Sequence, residues 1–305
     1  MNVKEIIDYT RSEVLDDAVV PYLWTDAGLI SHLNRVYEEL ARESKCIIDS
    51  STASTCTVNL LANTTLHVLS PKVVHVFNAW RNSDGYPMYK KTEAFMEGYA
   101  NWRATTGTAP YWLIMDSRNR YFSIYPKYDT TGYVAGASDI QFVAATSKIT
   151  KVGATFTSHF TTGDELVVTG TTSNNATLTI TNVAATEITV SGTLVNEANT
   201  SAILWLVKDK ALLRVARLPI TLFTANDLTL ATPPTPEIDA TYHYGLADGV
   251  AKYAYLKPDS ETYDPKAADR HGAIFERFKS DVAFEIASLM QDGNWSQGVP
   301  HYGTI

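Results

Sequence analysis

The sequence holds only two cysteines, Cys46 and Cys56, in 305 residues. Whether they pair is left open, since no spacing demands it, and no CxxC or Cys/His pattern offers a zinc site. The seven histidines are scattered without HxH or HxxxH spacing, so neither a metal nor a cofactor is expected. No GxSxG elbow and no Walker A loop occurs, which removes the local signatures of an α/β-hydrolase and a P-loop enzyme. Asp164 and Glu165 are adjacent where a turn enters a strand, so their side chains point to opposite faces and would not share a substrate. Asp16 and Asp17 read as a solvated helix end. The expectation is a protein that is not an enzyme.

Long apolar runs are missing too. Nothing approaches a membrane span, and MNVKEIIDYTRSEV lacks the apolar core of a signal peptide. This reads as a chain made in a reducing cytoplasm. Positive charge is sparse and unclustered; the groups Lys90–Lys91 and Lys208–Lys210 read as solvated faces. A net charge of -8 and a pI near 5.4 argue against gripping nucleic acid through its phosphates. They do not exclude a surface that DNA slides past without sticking. Internal repeats and sustained heptads, the marks of fibrous proteins, are absent.

What is present is an ordinary globular composition, 45% hydrophobic and 19% charged, enough for one large or two smaller domains. Tyrosine is abundant at 17 residues, against 10 Phe and 6 Trp. Such polar aromatics serve interfaces and cores alike. Val3, Ile6, Ile7, Val14 and Leu15 form one helical stripe. After a break at Pro21, Thr25 is placed to cap a second helix, with Ile30, Leu33, Tyr37, Leu40 and Ala41 on one face and Asp26 at its positive end. Trp24 stands just before it. The opposite face, with His32, Arg35, Glu38, Glu39 and Arg42, is polar enough to meet a neighbouring subunit or water, and His32, Arg35, Glu39 and Arg42 are the four candidates for a contact between subunits.

The period changes at Cys56. CTVNLLANTTLHVL reads as a hairpin, KVVHVFNAW as a strand, KKTEAFMEGYANWRAT as a short helix, and TGTAPYWLIMDSRNRYFSIYP as two strands around Asp116–Asn119. From Ser138 to Val207 the chain turns Thr-rich and strand-like, with Gly and Asn turns. ALLRVARLP returns as a strand of the first domain, and NDLTLATPPTPEI is a loop. YHYGLADGVAKYAYLK is a helix bearing Leu246. A longer one, started by Asp264–Pro265, keeps His271, Ile274, Phe275, Phe278, Val282, Ile286 and Leu289 on one face. The order implies an α+β fold: a helical bundle with a few β-strands, carrying an inserted all-β sandwich or small barrel. Its parts are a core at 1–137 and 208–290, the insertion at 138–207, and a tail at 291–305. That tail offers Trp295, Val299, Pro300, Tyr302 and Ile305 to a partner.

The stretch WTDAGLISHLNRVYEELAR, through Trp24, Thr25, Asp26, Leu29, Leu33 and Asn34, resembles the N-terminal helix of bacteriophage head-to-tail adaptor (connector, neck) proteins. YFSIYPKYD and LLRVARLP resemble that family's strands. His243, Leu246, Ala251 and Ala254 resemble its C-terminal helix pair. FTTGDELVVTGT and NNATLTITNVAATEITV, through Phe160, Gly163, Asp164, Gly170, Asn174 and Asn175, resemble small β modules of phage virions. The resemblance implies a structural virion protein in the neck, assembled in the host cytoplasm. It implies a ring, typically dodecameric, that sits below the portal and continues the DNA channel. The portal, tail or nozzle proteins and tail fibres would be its partners, with no membrane. Wall helices would pack through Trp24, Ile30, Leu33, Tyr37, Leu246, Ile274 and Phe278, and the tail would dock on the portal. The rival reading is a host- or saccharide-binding tail protein using the β module.

Overall fold

The computed structural model describes residues 1–115, 120–134, 140–258 and 261–295. The expected turn at Asp116–Asn119, the composition shift at Ser138 and the end of the tail lie outside them. α1 (Val3–Tyr9) opens on a capping box between Asn2 and Glu5 and runs on as a π-helical turn to Leu15. α2 (Asp26–Ser44) starts at Thr25, whose hydroxyl accepts from Gly28 N at 3.2 Å, and ends where Lys45 turns left-handed.

Strands then take over. β1 (Ile48–Asp49) and the one-turn helix α3 (Ala53–Cys56) precede β2 (Thr57–Leu61), β3 (Leu66–Val68), β4 (Val73–Arg81) and β5 (Tyr89–Thr92). After the short helix α4 (Glu93–Met96) come β6 (Thr106–Gly107), β7 (Trp112–Met115), β8 (Tyr121–Tyr125), β9 (Lys127–Tyr128) and β10 (Tyr133–Val134). β11 (Ile140–Val143), β12 (Lys148–Lys151), β13 (Glu165–Thr169), β14 (Ala176–Val183), β15 (Glu187–Ser191) and β16 (Glu197–Thr200) lead to β17 (Ile203–Arg217). α5 (Gly245–Ala254) and α6 (Pro265–Trp295) follow.

The fold is therefore mostly β-sheet with few helices, which corrects the expectation of a helical bundle carrying a separate inserted domain. β17 is the reason. Its Ile203–Leu206 part pairs with β13, its middle with β2 and its end with β1. Strands of the expected insertion and strands flanking it are thus rungs of one 11-stranded sheet. By sequence, Lys208 and Lys210 read as a solvated face at the boundary after Val207. In the sheet each finds a carboxylate, Asp129 at 3.3 Å and Glu165 at 2.8 Å, so the strand runs through. The expected hairpin at 56–69 also dissolves: β2 pairs with β17, whereas β3 pairs with β8 in a separate four-stranded sheet.

Two compact units divide the chain. One comprises Met1–Asp49, Lys72–His75 and Val215–Ile305; the other comprises Ser50–Pro71 and Val76–Arg214. In the first, α1, α2, α5 and α6 pack around a core that includes Val3, Ile6, Leu29, Leu33, Val36, Tyr37, Leu246, Val250 and Phe275. Gly249 allows α2 and α5 to approach closely, since a Cβ there would stand 2.5 Å from Val36 Cγ1. The glycines of GLADGVAK thus serve packing. The second unit has one core of Ile140, Phe142, Phe156, Leu166, Ile188 and Leu204 and their neighbours. A smaller one joins Met96, Trp102 and Ile114 on the four-stranded sheet.

Candidate functional site

The outward row of α2 is held to the neighbouring helices through its polar ends. The Arg35 guanidinium lies 3.9 Å from the centre of the Tyr253 ring, and His32 stacks on the same ring at 6.1 Å. Burial, then the nearby Arg35, lowers the pKa of His32, so it is neutral at physiological pH. Glu39 accepts from Tyr253 Oη at 2.8 Å and from Lys279 Nζ at 2.7 Å. Burial raises the Glu39 pKa, but the hydrogen bonds from Lys279 and Tyr253 outweigh it and the net shift is downward. Lys279, itself buried, also reaches Glu43 at 2.7 Å and Glu276 at 2.9 Å. Three of the four proposed contact residues, His32, Arg35 and Glu39, are therefore engaged within the subunit, and Arg42 is exposed.

The proposed packing residues gather closely on α2. Trp24, Ile30, Leu33 and Tyr37 are buried, and Trp24 Nε1 donates to Ala254 O at 3.1 Å. Leu246 is buried and Phe278 half-buried. Ile274 departs from them, being 46% exposed while Phe275 is fully buried. At 100° per residue the row Phe275, Lys279, Val282 and Ile286 shares one arc, and Ile274 falls beside it. Trp295 ends α6. Val299, Pro300, Tyr302 and Ile305, the other proposed docking residues, lie outside the described residues.

Buried ion pairs fix the ends of this unit. Arg11 Nη1 donates to Asp17 at 2.5 Å and Arg11 Nη2 to Asp26 at 2.8 Å. Asp17 also accepts from Leu23 N at 2.8 Å. Asp17 is thus buried and paired, not the solvated helix end its sequence suggests. These bonds bind both ends of a loop whose Val19, Val20, Tyr22 and Leu23 are exposed. Arg217 donates to Asp49 at 2.6 Å and also to Glu237. Beside them Tyr37, Phe223, Leu230 and Pro234 line a groove of about 390 Å³.

In the second unit, aromatic rings gather on one face of the four-stranded sheet. Trp112 stacks on Tyr125 at 5.3 Å and meets the edges of Phe95, Tyr99 and Tyr111 at 5.1–5.6 Å. Lys91 Nζ lies 4.4 Å from the Phe95 ring centre. Phe95, Tyr99 and Tyr111 are exposed. The tyrosine count hints at such a face, but only the strand register assembles it.

The residues weighed for chemistry have structural partners. Asp164 accepts from Thr161 N at 2.7 Å, and Glu165 pairs with Lys210. His271 Nδ1 bonds Asp248 at 2.8 Å, and His243 Nδ1 bonds Met1 N at 2.9 Å. Among the described residues, no group of three His, Cys, Asp or Glu is placed to hold a metal, and no helix is long and apolar enough to cross a membrane. Cys46 and Cys56 form no disulfide with each other.

No curated protein matches the chain. Residues 1–298 match the family described as SU10 adaptor protein, whose members have a structural role as phage adaptors. A match over nearly the whole length, covering both helical ends and the strands between them, makes this chain a member of the SU10 adaptor protein family.

Proposed function

We propose that this protein is a head-to-tail adaptor that forms a ring, typically a dodecamer, below the portal and continues the DNA channel toward the tail. The observation that carries the reading is the family match over residues 1–298. Supporting it, α2, α5 and α6 form a helical layer with internally paired charges, suited to a wall that keeps its shape while neighbours dock. The net charge of -8 suits a lumen that does not hold DNA, provided the excess faces inward. The tail carrying Trp295, Val299, Pro300, Tyr302 and Ile305 is the portal-docking segment in this reading. Portal, tail or nozzle proteins and tail fibres are its partners, in a virion assembled in the host cytoplasm.

Negative-stain imaging of the purified protein, alone and mixed with its portal, tests this. Rings coaxial with the portal are expected. Particles that never form rings and show no affinity for the portal would reduce the family match to shared ancestry. The exposed aromatic face around Trp112 favours a second reading, saccharide binding by a tail protein. A glycan array probed with the same preparation decides it, and an array without signal removes it.

A further inference from the structure

We propose that the outward face of α6 is a self-complementary seam, on which a second copy of this chain docks antiparallel across a two-fold axis. The inference rests on α6 alone and does not depend on the adaptor reading.

At 100° per residue, Ile274, Arg277, Asp281 and Phe284 fall within about 80° of arc, opposite the buried row of Phe275, Lys279, Val282 and Ile286. This arc is open to solvent. Phe284 is 78% exposed and Ile274 46%. The side chains of Arg277 and Asp281 are 86% and 73% exposed, and the ion pair they make with each other is a loose one at 3.9 Å. Single exposed apolar residues are ordinary on protein surfaces. The order of these four is what identifies a partner.

Ile274 and Phe284 stand five positions before and after Lys279, and Arg277 and Asp281 stand two before and after it. The arc is therefore a palindrome, apolar outside and oppositely charged inside. When two copies cross antiparallel at the level of Lys279, Ile274 of one meets Phe284 of the other, and Arg277 meets Asp281, each contact occurring twice. The spacing of three, four and three residues is that of a coiled-coil seam. A parallel pairing would set Arg277 against Arg277 and Asp281 against Asp281, so the charges select the antiparallel one. A patch that supplies its own complement makes an isologous contact, the kind that closes at two subunits.

The seam spans only about 15 Å of helix, well short of a standard interface. The dimer is accordingly weak and reversible. An isologous contact cannot propagate a head-to-tail ring. In a ring-forming adaptor it would hold free subunits as a reserve that ring entry dissolves.

Sedimentation of the full chain, up to a concentration on the order of 100 µM, should show a monomer–dimer equilibrium of the strength expected for a small interface. Arg277→Asp should weaken association at least about tenfold by placing carboxylate against carboxylate. Arg277→Asp with Asp281→Arg should restore it, because the palindrome survives the exchange. Phe284→Ser should abolish the dimer. These are solvent-facing positions, so unchanged circular dichroism confirms that the variants fold. Ser280 lies on the flank of the seam beside the axis. In a Ser280→Cys variant, a short bismaleimide should join the introduced thiols of the two copies to each other, as read from peptide maps. Three results would overturn the proposal: a monomer at every concentration, a dimer indifferent to Arg277→Asp, or a double exchange that fails to rescue.

Discussion

The two units of this chain solve the same problem, specifying one arrangement, by different physics. In the helical unit the core is drawn from segments more than 200 positions apart, with Leu33 and Val36 packing in one cluster with Val250 and Phe275. Apolar stripes attract without direction, so they leave the rotation and register of a helix loosely fixed. That unit also buries charge: Arg11 with Asp17, Arg217 with Asp49, and Lys279 with Glu39. A slip of one turn would strand an ammonium or guanidinium away from its carboxylate, which is strongly unfavourable. The strand unit needs fewer such devices. Its backbone ladder sets register, and a one-residue slip would turn every side chain to the wrong face. Directional hydrogen bonds do in the sheet what buried ion pairs do between the helices.

Three substitutions can break or sharpen that contrast. Leu33→Asp places an unpaired carboxylate at a fully buried site and should cost more than about 4 kcal/mol. Helical circular dichroism should collapse, while the strands around Phe142 and Ile188 keep their protection from hydrogen exchange. Loss of protection throughout would show that the two units fold as one cooperative body.

The next effect belongs to the strand unit. His67 is buried against Phe122, its Nε2 has no hydrogen-bond partner among the described residues, and burial pushes its pKa down to about 4. The unfolded chain therefore takes up a proton near pH 6.5 and the folded chain only near pH 4. Stability falls as pH drops through that window, by about 3 kcal/mol in all. His67→Phe should remove this acid sensitivity, read from thermal unfolding at about pH 7 and about pH 4.5, either side of most of that window. An unchanged pH dependence would assign the loss to carboxylates instead.

Smallest is Gly249→Ala. Its added methyl would press on Val36 and should cost about 1–3 kcal/mol by overpacking. Val36→Ala in the same chain should recover most of that loss in a denaturant titration. Failure to recover it would mean that the backbone of α5 bends away from α2 and the close approach is not what Gly249 provides.

Several features are legible from neighbouring residues alone. Thr25 as a cap, the buried stripe from Ile30 to Ala41, the strands from β13 to β15 and the absence of a local catalytic motif all rest on short stretches, where period and turn chemistry act. So does the resemblance that the family match bears out. Other features depend on residues far apart. Asp17 looks solvated until Arg11 closes over it, and Lys208 and Lys210 look like a solvated face until Asp129 and Glu165 meet them. Ile274 lies at the edge of the wide apolar stripe read from the sequence, and the orientation of α6 buries the Phe275 row and leaves that edge exposed. The mostly β character escapes a local reading for the same reason, because the part β17 plays in the sheet depends on which strands flank it.

By itself, then, the sequence determined where helices begin, which strands alternate, and that no metal-ligand or nucleophile spacing is present. These depend on dihedral preference and on side-chain period, which act over a few residues. Tertiary structure alone decided that β17 unites strands on either side of Lys208–Lys210, that Lys279 lies among three carboxylates, and that Phe284 faces water. Those outcomes turn on desolvation and pairing between distant groups, and no local pattern carries that information.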